Sequence, residues 1–211
     1  MSGNHEISPQ HCAKKGLSIH KRYKKLLYAL FTSIFSILSI IFIIYFLLHP
    51  SKPEFSLKEV DIYQLNLFTH PQLVNSSIQF TLLSNNPNQK VGIYYDKLVV
   101  YASYKKQQIT DYTSLEPFYQ DHDESNLLTA SVTGNGVPVT TSFGHEVLRD
   151  TTAGKVVLNI KVNGWLRWKV RSWVSGKYRL NVNCVAIMPL GPSIPSGPLS
   201  SRQGTQCSTT M

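Results

Sequence analysis

The chain has 211 residues, enough for one domain of ordinary size. Its 21 Lys and Arg residues against 12 Asp and Glu residues give a net charge of +9, and 16% of residues are charged, below the roughly 25% of typical soluble domains. The deficit is local, because residues 26–48 carry no charge at all. This composition excludes a cytosolic soluble protein, and the lack of any three-residue or heptad period excludes collagen and coiled coils.

Residues 26–48 form an apolar segment that is long enough to cross a membrane. Its 23 residues would extend about 34 Å as a helix, against a hydrocarbon core of about 30 Å. A cleaved signal peptide has a shorter apolar region, about 7–15 residues, and ends at a small-residue cleavage site. No such site follows Leu48. We therefore predict an uncleaved transmembrane signal anchor.

The charges around this segment predict its orientation. Two cations, Lys52 and Lys58, follow it closely, whereas six precede it: Lys14, Lys15, Lys21, Arg22, Lys24 and Lys25. The positive-inside rule then places the N-terminus in the cytosol and residues 49–211 outside, a single-pass type II topology. The predicted organisation is a basic cytosolic arm over 1–25, the anchor over 26–48, a folded extracytoplasmic domain over 49–188, and an irregular Pro/Gly/Ser-rich tail over 189–211.

The predicted topology gives meaning to two cysteines and one asparagine. Cysteines in an oxidising compartment tend to pair, and only Cys184 and Cys207 follow the apolar segment. A disulfide between them is the favoured state, with two free thiols as the alternative. Asn75 begins the one Asn-x-Ser/Thr sequence and is the predicted glycosylation site.

Alternation of apolar and polar residues predicts that the outer domain is mainly β. The clearest alternation covers 178–184, and β-rich runs also occupy 55–67, 78–82, 91–104, 127–133 and 156–162. Turn sequences separate these runs, and only 142–149 favours a short helix. About seven short strands with this spacing predict a two-sheet antiparallel β-sandwich.

Residues 85–96, NNPNQKVGIYYD, predict a sharp turn between two strands, because Pro87 restricts the residue before it. The same string resembles the signature of the plant harpin-induced branch of the late embryogenesis abundant group 2 family. The matching residues of this string and of a later one are Asn86, Pro87, Asn88, Tyr94, Tyr95, Asp96, Phe118, Tyr119 and Gln120. Further matches, in the family's order, are Arg167–Val170 and Lys177–Cys184.

The resemblance implies an immunoglobulin-like or fibronectin-III-like sandwich outside the plasma membrane. It also implies roles in pathogen response, including the hypersensitive response, and in abiotic stress rather than in catalysis. The endoplasmic reticulum and plasmodesmata are the alternative locations.

The sequence contains no recognisable motif for a catalytic, cofactor-binding or metal site. It has no nucleophile elbow, phosphate-binding glycine loop, H-E-x-x-H or paired C-x-x-C. The acidic residues 121–124 do not match an EF-hand loop and are predicted to form a solvated turn. A type II glycosyltransferase would share the topology, but the chain lacks a D-x-D string. We therefore predict a protein that is not an enzyme and that uses no cofactor.

Residues 165–173 alternate tryptophan and cations with apolar residues. If they form a strand, one face carries Trp165, Arg167, Lys169, Arg171 and Trp173. Such a face would suit anionic lipid or acidic polysaccharide. The alternatives are a solvated face or pairing with residues 107–150, which hold seven acids and one cation. Nucleic acid is not an expected partner, because the basic domain faces away from the cytosol.

The leading functional hypothesis is a membrane-anchored cell-surface interaction module of plant defence and stress response. Its partners would be other membrane or apoplastic proteins, or a second copy of the chain. The alternative is a tether that binds lipid or cell-wall polysaccharide through the tryptophan-bracketed basic face.

Overall fold

The computed structural model describes residues 10–48, 50–66, 72–189 and 199–211. Residues 1–9 of the predicted arm, residue 67 of the first predicted strand and residues 190–198 of the predicted tail lie outside the described residues. The chain divides into two compact units, Met1–His49 and Pro50–Met211.

The first unit contains one long helix, α1 (Gln10–Leu48). Its stretch Tyr23–Ile43 has 21 residues and a mean hydropathy of 2.4, and none of its most apolar window is buried against protein. This length and composition suit a membrane span, and most of the stretch lies within the predicted anchor 26–48. The helix begins earlier than the apolar segment, so the basic residues from Lys14 to Lys25 continue the same helix.

The second unit is built almost entirely from antiparallel strands. Seven of them have eight or more residues: β1 (Glu54–Asn66), β2 (Leu73–Asn85), β3 (Gly92–Tyr104), β7 (Ser125–Pro138), β8 (Lys155–Val170), β10 (Tyr178–Pro189) and β11 (Leu199–Gln206). Five are short: β4 (Gln107–Gln108), β5 (Thr113–Leu115), β6 (Phe118–Gln120), β9 (Trp173–Val174) and β12 (Ser208–Thr210). Helix α2 (Ser142–Thr152) forms where the sequence predicts a short helix.

The strands form two sheets. One has the order β11-β1-β2-β7, and the other has the order β12-β10-β8-β3-β4, with β5 and β6 also paired to β3 and β9 paired to β8. The apolar positions of the alternating strands form the core between the sheets, as in β2, where Ile78, Phe80 and Leu82 are buried. The prediction of a mainly β fold with antiparallel sheets and one N-terminal apolar helix is confirmed.

The central strand β8 approaches β3 closely at Gly164. A Cβ atom at this position would collide with the carbonyl oxygen of Lys97. Lys97 follows a bulge in β3, where the register shifts between Tyr95 and Lys97. Glycine in the interior of a strand marks such a close backbone approach. The bulge leaves Asp96 outside the regular pairing of the two strands.

The expectation of an irregular tail is wrong for residues 199–210. Strand β11 pairs with β1, and β12 pairs with β10, so the tail closes one edge of both sheets. The backbone nitrogen of Cys207, between these strands, donates to the carbonyl oxygen of Phe55 at 2.8 Å. The tail is rich in Ser, Thr and Gly and shows little apolar alternation. Its backbone groups can still complete a sheet, because every non-proline residue carries a donor and an acceptor.

Candidate interaction surfaces

The family-signature asparagines form a buried network at one end of the sandwich. The side-chain nitrogen of Asn86 donates to the carbonyl oxygens of Val91 (2.8 Å) and Asp121 (2.9 Å). Its oxygen accepts from the backbone and side chain of Asn88. The Asn88 amide in turn exchanges two hydrogen bonds with the backbone of Ser51, just before β1. These two asparagines therefore tie together the start of the domain, the β2–β3 turn and the segment after β6.

The tyrosine and glutamine of the signature form a second buried group. Gln120 Oε1 accepts from Tyr95 Oη and from Ser84 Oγ, each at 3.1 Å. Its amide nitrogen donates to the carbonyl oxygens of Ser84 and Glu124, each at 2.9 Å. Burial raises the pKa of the Tyr95 phenol well above its ordinary value. Tyr95 and Gln120 thus cross-link β2, β3, β6 and the residue just before β7, which is a structural role.

Two further signature residues, Pro87 and Phe118, support the same region. Pro87 occupies the turn between the two buried asparagines. The Phe118 ring stacks on Tyr95, with ring centres 4.5 Å apart.

The predicted basic face is only partly present, and this expectation needs correction. Strand β8 ends at Val170, and Arg171 lies in the following turn with a φ of 52°. The chain then reverses, so Trp173 in β9 is opposite Val170 and not in line with Lys169. Directly opposed residues share one face of a sheet. Trp173 and Arg171 therefore do not share the face of Trp165, Arg167 and Lys169.

The two cations left on this face already have partners within the domain. Arg167 Nε lies 2.9 Å from Asp96 Oδ2, and its Nη2 lies 2.5 Å from Oδ1. Lys169 Nζ donates to Tyr94 Oη at 3.1 Å and lies 4.7 Å from the centre of the Tyr119 ring. The hydrogen bond to Tyr94 raises the pKa of Lys169. These contacts occupy both cations within the domain, but mainly through β3, since Asp96 and Tyr94 lie outside the acidic stretch 107–150 and only Tyr119 belongs to it.

The acidic residues 121–124 bond within their own turn. Asp121 Oδ1 accepts from the backbone nitrogen of His122 and from Tyr119 Oη, and these hydrogen bonds lower the pKa of Asp121. Glu124 Oε2 accepts from the backbone nitrogen of Asp121 at 2.6 Å. Across the described residues, no three His, Cys, Asp or Glu side chains gather as a metal site would require.

Cys184 and Cys207 form a disulfide, with their Cα atoms 4.4 Å apart. It joins the core strand β10 to the residue between β11 and β12. The sequence separation across the bridge is 23 residues. The disulfide therefore links the residue between the two tail strands, β11 and β12, covalently to the core.

Asn75, the predicted glycosylation site, lies in β2 and is half-buried. Its Oδ1 accepts from the backbone nitrogen of Gly136 at 2.7 Å. Glycosylation of Asn75 stays a prediction.

Strand β7 is the last strand of its sheet, and its outer edge is partly open. The carbonyl oxygen of Thr133 accepts from the backbone nitrogen of Asp111, and that of Ser131 accepts from Thr113 Oγ1. These alternate residues therefore direct their backbone groups away from β2. Leu127 and Thr129 belong to the same set, and within the described residues no strand pairs with their outward edge. An unpaired edge of this kind is a template for another extended chain.

A groove of about 580 Å³ lies beside this edge, which we call the β7 groove. Its lining includes four apolar residues contributed by β5, β6 and β7: Leu115, Phe118, Leu127 and Leu128. Leu127 is 66% exposed. Glu116 also lines the groove, and it belongs to the stretch 107–150 with seven acids and one cation. The sequence analysis did not predict this groove. The apolar Leu127, at the start of the predicted run 127–133, was the one residue that could have indicated it.

Comparison with known proteins identifies the family. Residues 81–185 match the family model of the late embryogenesis abundant protein domain, LEA_2. The chain is 55% identical over 206 residues to NDR1/HIN1-like protein 26 of Arabidopsis thaliana, covering 97% of each chain. It is 39% identical over 181 residues to NDR1/HIN1-like protein 1 of the same plant, covering 85% of this chain and 87% of the relative.

The matched region coincides with the structural features described above. Residues 81–185 contain the buried Asn86–Asn88 and Tyr95–Gln120 networks and the strands from β3 to β8. The family is not known as a family of enzymes. The chain belongs to the late embryogenesis abundant group 2 family, among the NDR1/HIN1-like proteins of plant defence and stress.

Proposed function

We propose that this protein is a non-enzymatic interaction module, anchored in the plasma membrane by α1 and acting in plant defence and stress response. In this proposal the N-terminus lies in the cytosol and the sandwich lies outside. The charge bias around the anchor supports this orientation, and the disulfide of the sandwich suits an oxidising compartment. Its partners are other membrane or apoplastic proteins.

The observation that carries the proposal is the open part of the β7 edge, at Leu127 and Thr129, beside a groove that is lined by apolar residues and by Glu116. An extended segment of a partner can add to such an edge through main-chain hydrogen bonds, while pockets for alternate side chains give specificity. The four apolar lining residues would receive apolar side chains of the partner. The carboxylate of Glu116 would favour a segment that also carries Lys or Arg.

A proline at Thr129 tests the edge with little effect on the fold. Thr129→Pro removes an N–H that points away from β2, whereas Thr129→Val keeps the N–H. Both changes lose the same hydroxyl contact with Thr81, so they form a matched pair. The full-length variants would be expressed with a tag in plant cells, and the cross-linked membrane proteins that copurify with each would be quantified.

We expect Thr129→Pro to lose most of the copurified partner signal and Thr129→Val to retain it. Equal signals from the two variants, at equal thermal stability, would remove the β7 edge from the proposal. An additional variant, Leu127→Asp, places a carboxylate in the groove and is expected to reproduce the loss.

A separate experiment tests the orientation of the chain in the membrane. Glycosidase treatment of plant membranes should shift the gel mobility of the wild-type chain and leave an Asn75→Gln variant unshifted. A C-terminal tag should also be protected from protease in sealed vesicles whose lumen is topologically outside. A tag digested in those vesicles would place the sandwich in the cytosol and overturn the cell-surface proposal. Fluorescence microscopy of the tagged chain separates plasma membrane from endoplasmic reticulum and plasmodesmata.

A further inference from the structure

The outer face of the eight-stranded sheet contains a groove of about 590 Å³, which we call the asparagine groove. Its volume is in the range of small-ligand sites, about 300–1,000 Å³. Its polar lining on β8 and β10 is dominated by four asparagines: Asn159, Asn163, Asn181 and Asn183. Two lysines, Lys106 and Lys161, complete the charged part of the lining. The groove is separate from the Arg167–Lys169 strip and from the β7 groove.

The strand register places these side chains in adjacent rows on one face. Asn163 is opposite Asn181, which is itself opposite Thr210 of β12. The next row contains Lys161, opposite Tyr101 on one side and Asn183 on the other. Successive rows on one face of a sheet are about 7 Å apart along the strand. The result is a flat, ordered array of amides beside hydroxyls and a cation.

The side-chain amides of this array have no hydrogen-bond partner among the described residues. Ser103 Oγ and Thr210 Oγ1 donate only to the backbone carbonyl oxygens of Asn159 and Asn181, whereas the amides of Asn86 and Asn88 are fully used. Asn183 Oδ1 is buried from solvent and has no hydrogen-bond partner. A buried polar atom without a partner is unfavourable, and native structures contain few of them. The groove therefore contains an acceptor that the described residues leave unused.

The charge of the groove is of one sign. Lys106 and Lys161 line it, and none of its described lining residues is Asp or Glu. Beyond the groove along β8, the next outward row places Trp165 between Lys97 and Arg179, which adds two cations and an exposed indole. A groove with this charge suits an anionic ligand.

An aromatic ring also faces the groove. Tyr101 packs edge-on against Tyr112, with ring centres 4.9 Å apart, so its ring is held in place. Lys161 Nζ lies 5.9 Å from the centre of the Tyr101 ring. A fixed ring with an amphipathic edge can pack against the C–H face of a sugar while its hydroxyl remains available for hydrogen bonding.

We propose that the asparagine groove binds an acidic polysaccharide made of uronic-acid sugars. A side-chain amide offers both donors and an acceptor, which matches the paired hydroxyls of a sugar ring. Lys161 and Lys106 would bind the carboxylates as point charges. Membrane lipid fits less well, because Val182 is the single aliphatic residue in the described lining, too little apolar surface to enter a bilayer. The proposal is independent of the β7 edge and of any protein partner.

Binding of polygalacturonate oligomers to the full-length chain in neutral detergent tests the proposal. Calorimetry would compare the wild type with Asn181→Asp, which places a repelling carboxylate in the groove at constant side-chain size, and with Lys161→Gln. The matched controls are Asn135→Asp, in the turn region of β7, and Lys58→Gln, on β1 in the other sheet; both are exposed. Thermal melting of each variant verifies folding.

We expect measurable binding by the wild type and by both controls, and an affinity lower by on the order of tenfold for each groove variant. Fully methyl-esterified oligomers, which lack the carboxylate charge, should bind more weakly than the acid form. Equal binding by wild type and groove variants, or no binding by the wild type, would overturn the proposal. Binding to phosphatidylserine vesicles that Asn181→Asp abolishes, without binding to the oligomers, would also overturn it in favour of a lipid head group.

Discussion

Arg167 holds Asp96 in a forked ion pair that joins β8 to the bulge of β3. Arg167 Nε lies within 3.0 Å of both carboxylate oxygens, and Lys177 Nζ approaches Asp96 Oδ2 at 3.9 Å. The Asp96 side chain is only 18% exposed. A cation of the predicted anionic-partner face therefore acts within the domain, where it neutralises a carboxylate that the bulge displaces from the regular pairing.

We predict that Arg167→Lys lowers the free energy of unfolding, because lysine cannot reproduce the fork. Denaturant unfolding of the full-length chain in detergent would measure the change, with Arg171→Lys in the exposed turn as the control. If the two variants lose the same amount, the fork contributes nothing specific. Arg167→Glu should destabilise the fold more, because it places a second carboxylate next to that of Asp96.

The buried asparagine network predicts a large loss of stability when Asn86 is replaced. Asn86→Ala removes four hydrogen bonds and leaves the carbonyl oxygens of Val91 and Asp121 without that donor, so we expect a loss of about 2–4 kcal/mol. The control is Gln89→Ala in the same turn, which is exposed and should change stability by less than about 0.5 kcal/mol. Thermal melting that finds the two variants equally stable would contradict a structural role for the signature.

We predict that Asp150, near the end of α2, makes a pH-dependent contribution to the stability of the fold. Burial opposes its charge, but the ion pair with Lys105 (Nζ–Oδ2 2.9 Å) and a hydrogen bond from Tyr104 Oη (2.8 Å) lower its pKa below the ordinary value. A carboxyl with a lowered pKa in the folded state stabilises the fold above its unfolded pKa of about 3.9. That contribution is lost as the pH falls through the lower folded-state value.

We therefore expect Asp150→Asn to reduce the Tm by a few degrees at neutral pH. The difference from the wild type should stay constant down to about pH 5 and shrink below about pH 4. Melting curves between pH 3 and 8 would measure this, with the exposed Glu116→Gln as the control. A difference that does not change with pH would mean that the Asp150 charge is not the cause.

The disulfide predicts that reduction releases the tail. Closing a loop of this size stabilises by about 3 kcal/mol on the chain-entropy model. Hydrogen exchange should show faster exchange in β11 and β12 of a Cys184→Ala/Cys207→Ala variant, with β2 and β3 changed much less. Uniform acceleration across all strands would contradict a local role for the bridge.

Local alternation was enough to predict the inner residues of the long strands. Leu180, Val182 and Cys184 are buried as their spacing requires, although Tyr178 at the same period lies beyond the core and is exposed. The same alternation was misleading at residues 165–173, because a strand pattern contains no information about where the chain reverses. Arg171 has a positive φ, which this residue type rarely adopts, so no turn signal marked the reversal.

The sequence by itself determined the apolar helix, the two-sheet β architecture and the family, since these depend on composition, side-chain period and short motifs. Only the tertiary structure decided which polar groups form hydrogen bonds within the domain and which do not. The signature asparagines, Tyr95 and Gln120 form hydrogen bonds within the domain. Among the described residues, the side-chain amides of the asparagines on β8 and β10 have no partner, and no strand pairs with the outer edge of β7. Such pairing depends on strand register and sheet order, which bring together residues far apart in the chain, and no local pattern contains that information.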